Sequence, residues 1–240
     1  MAAFVLIHGA WHGGWCWDKV AALLRDAGHT VVTADLPGHG SDTTPLDQIG
    51  LDSYVDRAGA VLDAQAEPVI LAGHSMGGLV ITQSSELRPA KVKALVYVTA
   101  FIPRDGESLS QLSLTDQESM LNQHRVIDKE RGVMWVRPEA HREVFYHDCS
   151  DEDVARAAAL LVPAVAIKPN VTPVHTTAEV LGRIPKYYVE CLQDRAIRPH
   201  TQRLMYQNTP CQRVFTLDAS HSPFFSVPEE LARCLLAIRA

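Results

Sequence analysis

Short, continuous runs of apolar residues recur along this sequence, and helical segments separate them. Such runs are typical of strands buried on both faces, and their alternation with helices predicts a parallel sheet covered on both sides. The expected fold class is α/β, with a mostly parallel six-stranded sheet. Its predicted strands are 3–7, 30–36, 68–73, 93–100, 186–192 and 212–217, and its predicted helices are 15–27, 53–65, 76–87, 199–207 and one that starts at 228.

One long segment interrupts this alternation. Within 101–184 no comparable strand is evident, whereas Thr115 with Glu118 and Ser150 with Asp153 match the capping box that begins many helices. We expect a mostly helical insertion that lies over the carboxyl edge of the sheet. The predicted organisation is a core made of 1–100 and 185–240, with a helical cap inserted after the fourth strand.

A serine stands between two glycines in "LAGHSMGG", at 71–78, where the third predicted strand meets a helix. A G-x-S-x-G pattern on a strand-to-helix turn is typical of a nucleophile elbow, which projects the hydroxyl of the serine into the open. Gly73 and Gly77 permit the tight turn, and the helix N-terminus favours developing negative charge. Ser75 is therefore the predicted nucleophile, and as an alcohol it requires a base.

The base and its acid partner are expected at the same edge of the sheet. His221, in "LDASHSPFF", follows the last predicted strand and is the predicted base. Asp194, in "ECLQDRAI", follows the fifth strand and is the predicted acid, which fixes the tautomer of His221 and stabilises its imidazolium form. Asp218 and Asp35 are rival acids, because each also follows a predicted strand.

A glycine-rich segment, "HGAWHGG" at 8–14, follows the first predicted strand, so its backbone can approach a ligand closely. Backbone N–H groups aimed at a developing alkoxide form an oxyanion hole. The predicted donors are the N–H groups of Ala10, in this segment, and of Met76, next to the nucleophile.

Several aromatic side chains are candidates for substrate contacts, with packing as the alternative for each. Trp17 falls on the core face of the first predicted helix, so we expect packing there. Cys16 is either a reactive thiol or a small buried filler, and the second is favoured. The candidate substrate-binding residues are Trp11, Phe101, Trp135, Phe145 and Tyr146.

The order Ser75, Asp194, His221 along the chain is that of the α/β-hydrolases. More narrowly, "FVLIHGAWHGGWCW", "LAGHSMGG", "FYHDCSDEDVARAAALLVPA" and "ECLQDRAI" resemble the branch of plant methylesterases and hydroxynitrile lyases, together with bacterial esterases that cleave xenobiotic esters and carbamates. This resemblance implies an α/β-hydrolase fold, no cofactor, and a helical cap that forms an apolar pocket above the serine.

Two positions depart from the lyase members of that branch. Those lyases carry a lysine directly after the catalytic histidine and a threonine in the first oxyanion segment, where this chain has Ser222 and Ala10. Without a cation to stabilise departing cyanide, lyase chemistry is disfavoured. The expected activity is hydrolysis of small apolar or aromatic carboxylic esters, including methyl esters, through an acyl-enzyme. Carbamate or amide hydrolysis and slow-turnover ligand binding remain as alternatives.

Composition excludes several other classes of function. The net charge of −6 offers no electrostatic footprint for nucleic acid or for an anionic membrane. The five cysteines show no C-x-x-C spacing, and the histidines lack a metal-ligand spacing such as H-E-x-x-H, so free thiols and no metal are expected. We expect a cytoplasmic protein without a signal peptide, whose partners are its small-molecule substrate and a second copy in a homodimer.

Overall fold

Six parallel strands form the central sheet of the protein, which a computed structural model describes from residue 2 to residue 238. All five strand pairings in this sheet are parallel, which confirms the predicted α/β class. In spatial order the strands are β2 (Thr30–Ala34), β1 (Ala3–Ile7), β3 (Val69–His74), β4 (Val92–Val98), β8 (Lys186–Cys191) and β9 (Arg213–Leu217).

The order of the strands determines where the helices lie. The chain passes from β1 to β2 and then returns across β1 to β3, so right-handed crossovers place the two intervening helices on opposite faces of the sheet. The first of them packs against the last helix of the chain, and the second packs against the helix that follows β3. The helices are α1 (Asp18–Asp26), α2 (Leu51–Asp63), α3 (Gly77–Leu87), α9 (Pro199–Asn208), α10 (Pro223–Ser226) and α11 (Pro228–Leu236).

The reversal of strand order leaves β1 and β3 side by side, with Ile7 beside Gly73 in the register. In open α/β sheets, ligands typically bind at the carboxyl edge where the strand order reverses in this way. Ser75 and the segment 8–14 both lie at this switch point, because they follow β3 and β1 directly.

Between β4 and β8 the chain forms five short helices, which agrees with the helices predicted for this insertion, and also a three-stranded sheet that the sequence did not predict. The antiparallel pair β5–β6 turns at Gly132, whose φ is +66°. In β5 the charged Arg125 and Asp128 leave only two apolar residues between them, and β6 is an apolar run of only four residues, shorter than any strand of the central sheet. The elements are α4 (Leu109–Leu114), α5 (Met120–His124), β5 (Arg125–Asp128), β6 (Val133–Val136), α6 (His141–Phe145), α7 (Asp151–Leu160), β7 (Val165–Ala166) and α8 (Lys168–Val171).

Of the two predicted capping boxes, only the N-cap half of the one at Ser150 is confirmed within 2–238. The Ser150 hydroxyl accepts the Asp153 N–H at the start of α7. The prediction at Thr115 is wrong, because Thr115 ends α4 instead of beginning a helix. The N-caps in that stretch are Ser108 and Ser119. The division into a core and a cap at residues 101 and 184 stays a prediction. None of the helices within 2–238 combines the length and the apolar character that crossing a membrane would require.

Candidate active site

Ser75 occupies the turn between β3 and α3 with a φ of +53°, in the left-handed backbone region that residues with a side chain rarely adopt. The Gly78 and Phe101 N–H groups donate to the Ser75 carbonyl at 3.1 and 3.2 Å and hold the turn in this conformation. The residue is 7% exposed, so the surroundings of the hydroxyl are nearly closed to solvent. Strain that the surrounding structure imposes in this way is characteristic of functional turns.

Gly9 lies directly against this turn. A Cβ atom at position 9 would stand 2.8 Å from Nδ1 of His74 and 2.9 Å from Cβ of Ser75, which is closer than such atoms approach in proteins. The absence of a side chain at Gly9 therefore lets the backbone of the glycine-rich segment lie beside the predicted nucleophile.

His221 and Asp194 form a buried pair at the same edge of the sheet, 2% and 0% exposed. Nδ1 of His221 lies 2.7 Å from Oδ2 of Asp194. The other carboxylate oxygen accepts the N–H groups of Ala196 and Ile197 at 2.7 and 2.9 Å, and the Thr99 hydroxyl donates to Oδ2. Because a carboxylate only accepts, Nδ1 carries the proton, and the lone pair of Nε2 is left available as a base.

The rival acids are engaged elsewhere. Asp35 accepts the Gly14 N–H at 2.7 Å and both the N–H and the hydroxyl of Ser41. Asp218 is exposed and accepts from the side chain of Gln193 at 2.9 Å. Asp194 is thus the carboxylate that contacts His221. Thr99 was not predicted, although its position just after β4 places it at the edge where the other site residues lie.

Of the two predicted oxyanion donors, Met76 follows Ser75 directly, and Ala10 follows Gly9, which lies against Ser75. Within residues 2–238, the N–H groups of Ala10 and Met76 donate to no protein acceptor, so both are free to bind a ligand oxygen. Met76 also caps the 11-residue helix α3, whose N-terminal partial positive charge lies at the same place.

His12, within the glycine-rich segment, and Tyr146, in the insertion, hold this segment in place. Burial lowers the pKa of His12 to about 3, so its ring is neutral at pH 7. Nδ1 donates to the Ala10 carbonyl at 2.8 Å, and Nε2 therefore accepts the Tyr146 hydroxyl at 2.7 Å. A side chain of the insertion and a buried histidine thus fix the carbonyl of Ala10, whose N–H is the predicted donor.

His74 holds the loop that carries His221, the predicted base. Burial, together with the nearby ring of His221, lowers the pKa of His74 far below its usual value, so His74 is neutral. Its Nε2 donates to the backbone carbonyl of His221 at 2.8 Å, and the two ring centroids are 4.6 Å apart. A neutral ring in this position holds the loop of His221 without opposing a positive charge on the imidazole.

The five aromatic candidates for substrate contacts fall in different places. The Phe145 ring centroid lies 5.7 Å from that of His221, and the Phe101 backbone contacts Ser75. Trp11, whose φ is +63°, points its indole N–H at the Met134 carbonyl, 3.5 Å away. Tyr146 is 1% exposed and its hydroxyl is used by His12, so it supports the oxyanion segment. Half-buried Trp135 makes no hydrogen bond or ring contact with the site within 2–238.

The cysteines and histidines offer no second chemistry here. Burial raises the pKa of the Cys16 thiol well above its usual value, which makes it a packing residue. Trp17 is fully buried, as expected. Among residues 2–238, no group of three or more histidine, cysteine or acidic side chains is placed to hold a metal ion.

Comparisons with known proteins agree with the fold class. The model of a family described as the alpha/beta hydrolase family matches residues 4–234. A methylesterase from Arabidopsis thaliana is 32% identical over 252 aligned residues, which cover 99% of this chain and 98% of that protein.

Solved structures show the same likeness. A methylesterase from Arabidopsis superposes with a TM-score of 0.85 and 28% identity, over 98% of each chain. A pyrethroid hydrolase from Sphingobium faniae superposes with a TM-score of 0.87 and 28% identity, over 98% of this chain and 96% of that one.

Proposed function

The chain belongs to the alpha/beta hydrolase family, and from that premise we propose that it is a serine esterase that cleaves small carboxylic esters. The observation that carries the proposal is the buried contact between His221 and Asp194 at the edge of the sheet where Ser75 stands on its strained turn. The methylesterase relative acts on esters by name, and the second neighbour is named a hydrolase, which supports this substrate class.

In the acylation step, the Ser75 hydroxyl attacks the ester carbonyl while Nε2 of His221 accepts the proton. Within 2–238 no hydrogen bond joins Ser75 to the His221 ring, and we expect this bond to form once substrate fills the site, as it often does in hydrolases. Asp194 keeps the proton on Nδ1 and stabilises the imidazolium that results.

Negative charge that develops on the carbonyl oxygen is stabilised by the Ala10 and Met76 N–H groups, which have no acceptor of their own. Since the site is nearly closed, few waters compete for these donors, and the electrostatic gain is larger than in bulk solvent. His221 then donates its proton to the leaving alcohol, and the acyl group stays on Ser75.

Deacylation repeats these steps with water as the nucleophile. His221 accepts a proton from water, the oxyanion forms again at Ala10 and Met76, and the carboxylic acid leaves. Carbamates and amides could use the same groups, but the relatives favour esters. The comparisons do not favour the lyase or receptor alternatives, and Ser222 supplies no cation beside His221.

Two further parts of the proposal concern the cellular location and the oligomeric state of the enzyme. A cytoplasmic location is supported by the five cysteines, all of them free thiols. A homodimer is also part of the proposal, and size-exclusion chromatography with light scattering tests it.

Hydrolysis of p-nitrophenyl butyrate by wild type, Ser75→Ala and Ser84→Ala tests the mechanism. Ser84 is a matched control, because it is a fully buried serine on α3 whose hydroxyl lacks a partner. Ser75→Ala should lower kcat by roughly 10⁴–10⁶, whereas Ser84→Ala should stay near wild type. Ordinary turnover by Ser75→Ala would refute the mechanism. Methyl esters of aromatic acids then test the substrate class.

A further inference from the structure

A cavity lies against the antiparallel hairpin of the insertion, and Ser75 does not line it. Its volume is about 600 Å³, within the range of small-molecule sites. The hairpin β5–β6, helix α8 and the short helical turn Leu46–Gln48 enclose it. That turn follows the edge strand β2. Strand β2 is two strand spacings, or about 10 Å, from β3, the strand that leads to Ser75. Neither Ser75 nor His221 lines this cavity.

The walls of this cavity, which we call the hairpin pocket, are largely apolar. Ile127 of β5 faces it beside its cross-strand partner Met134, and Ile49 and Val171 close the other sides. Ile127 is 46% exposed and Val171 52% exposed, so apolar surface here is left open to solvent. An open apolar surface of this kind inside a concave site favours an apolar ligand body.

Arg125 introduces charge into this apolar setting. Arg125 lies two residues before Ile127 in β5, so both side chains project from the same face of the strand. The Arg125 guanidinium is half-buried, and burial lowers its pKa. Within 2–238 no carboxylate pairs with it. A partly desolvated guanidinium without a partner is a binding group for a carboxylate, which it can hold through two parallel hydrogen bonds.

The charged side chains around the pocket are positive on balance, like Arg125 itself. Lys129, Arg131 and Lys168 line it with Arg125, against the two carboxylates of Asp47 and Glu130. The excess of positive charge attracts an anion towards the opening, although the chain as a whole carries a net charge of −6.

A buried polar atom supplies an independent observation. Asn170 lines the pocket and is 2% exposed. Its amide nitrogen donates to the Met134 sulfur at 3.8 Å, and its Oδ1 has no partner. An acceptor that is buried without a donor is costly, and a water that donates both to it and to a bound carboxylate would satisfy it.

We propose that the hairpin pocket binds a small amphipathic monocarboxylate, with the carboxylate on Arg125 and the apolar body against Ile127 and Met134. The ligand site is separate from the catalytic serine and does not depend on its chemistry. It also lies close to the oxyanion segment, because the Met134 carbonyl accepts the indole N–H of Trp11.

Isothermal titration calorimetry with octanoate and 1-naphthaleneacetate tests the site, and the two probes separate an alkyl body from an aromatic one. The proteins are wild type, Ser75→Ala, Arg125→Gln and Arg137→Gln. Arg137 is an exposed arginine that follows β6 outside the pocket, so it controls for a lost charge on the same hairpin. Octanamide, which lacks the charge, is the matched neutral ligand.

We expect at least one acid to bind wild type, Ser75→Ala and Arg137→Gln alike. Arg125→Gln should weaken that binding at least 10-fold, about 1.4 kcal/mol, and octanamide should bind wild type equally weakly. Thermal unfolding of Arg125→Gln shows that the variant is folded. Equal affinity of wild type and Arg125→Gln, equal affinity of acid and amide, or no binding of either acid to wild type would each overturn the proposal. Because turnover is not measured, failure of the esterase mechanism leaves this result unaffected.

Discussion

Removal of the Tyr146 hydroxyl tests whether the insertion controls the proposed oxyanion hole. In Tyr146→Phe the ring stays in its buried place, but Nε2 of His12 loses the donor that stands 2.7 Å away. A buried acceptor left unsatisfied costs about 1–3 kcal/mol, and in a chain of this size each kcal/mol lowers Tm by roughly 2–4 °C. His12 is then free to change tautomer or position, and with it the Ala10 carbonyl.

The catalytic consequence follows from the role of the Ala10 N–H. Complete removal of one oxyanion donor costs about 10²–10³ in kcat. Displacement of a donor that is still present should cost less, and we expect a loss of about 10-fold, equivalent to about 1.4 kcal/mol of transition-state stabilisation. KM should change little, since the Tyr146 hydroxyl bonds to His12 and not to substrate.

The assay is steady-state hydrolysis of p-nitrophenyl butyrate, with Tm measured on the same preparations. Tyr97→Phe is the matched control, because Tyr97 is equally buried and its hydroxyl donates to Thr82 at 2.8 Å, leaving the same kind of orphaned acceptor. Both variants should lose similar stability, and only Tyr146→Phe should lose kcat. Unchanged kcat in Tyr146→Phe, or the same loss in Tyr97→Phe, would refute the reasoning.

Three other perturbations have defined outcomes. Asp194→Asn should lower kcat by about 10⁴, whereas Asp218→Asn should have almost no effect, and similar losses in the two would contradict the assignment of the acid. Gly9→Ala should lower both kcat and Tm, because the new Cβ would collide with His74 and Ser75. Gly182→Ala is the control, since a Cβ there meets no neighbouring atom, and it should leave kcat and Tm unchanged. Burial lowers the pKa of His39 to about 4, so between pH 6.5 and 4 the unfolded chain binds a proton that the folded chain does not. The free energy of unfolding should therefore decrease as the pH is lowered through that range, by about 1.4 kcal/mol per pH unit from this residue. A profile of Tm against pH that is no flatter in His39→Asn would contradict this expectation.

The central sheet was predictable because its strands are buried on both faces and therefore appear as continuous apolar runs. The hairpin β5–β6 was missed for the opposite reason. Arg125 and Asp128 leave only two apolar residues in β5, which is partly exposed, and the apolar run of β6 is only four residues long, so neither pattern distinguishes a strand from a loop. The failed capping box at Thr115 shows a related limit, since Ser108 and Ser119 satisfy the helix termini in that stretch equally well.

Residues of the site that follow strands could be predicted from order alone, because parallel strands bring their carboxyl ends to one edge. Ser75, Asp194 and His221 are of this kind. The supporting residues were not predictable in the same way. His12 and Tyr146 are 134 positions apart, and only the packing of the insertion on the first loop brings them together. The role expected of Tyr146 was contact with substrate, for which an aromatic residue in a cap is equally suited.

The contacts between the insertion and the oxyanion segment have a common consequence for the proposed enzyme. Trp11 holds a φ of +63°, which a bulky residue adopts only where its surroundings impose it. The Val162 N–H donates to the Trp11 carbonyl at 3.0 Å, the Trp11 indole reaches Met134, and Tyr146 reaches His12. All of these partners of the segment belong to the insertion, so its packing sets both the walls around the substrate and the direction of the Ala10 N–H. A change in cap packing that shifts this segment by a few tenths of an ångström should therefore alter kcat as well as KM, even where the substituted residue never touches the substrate.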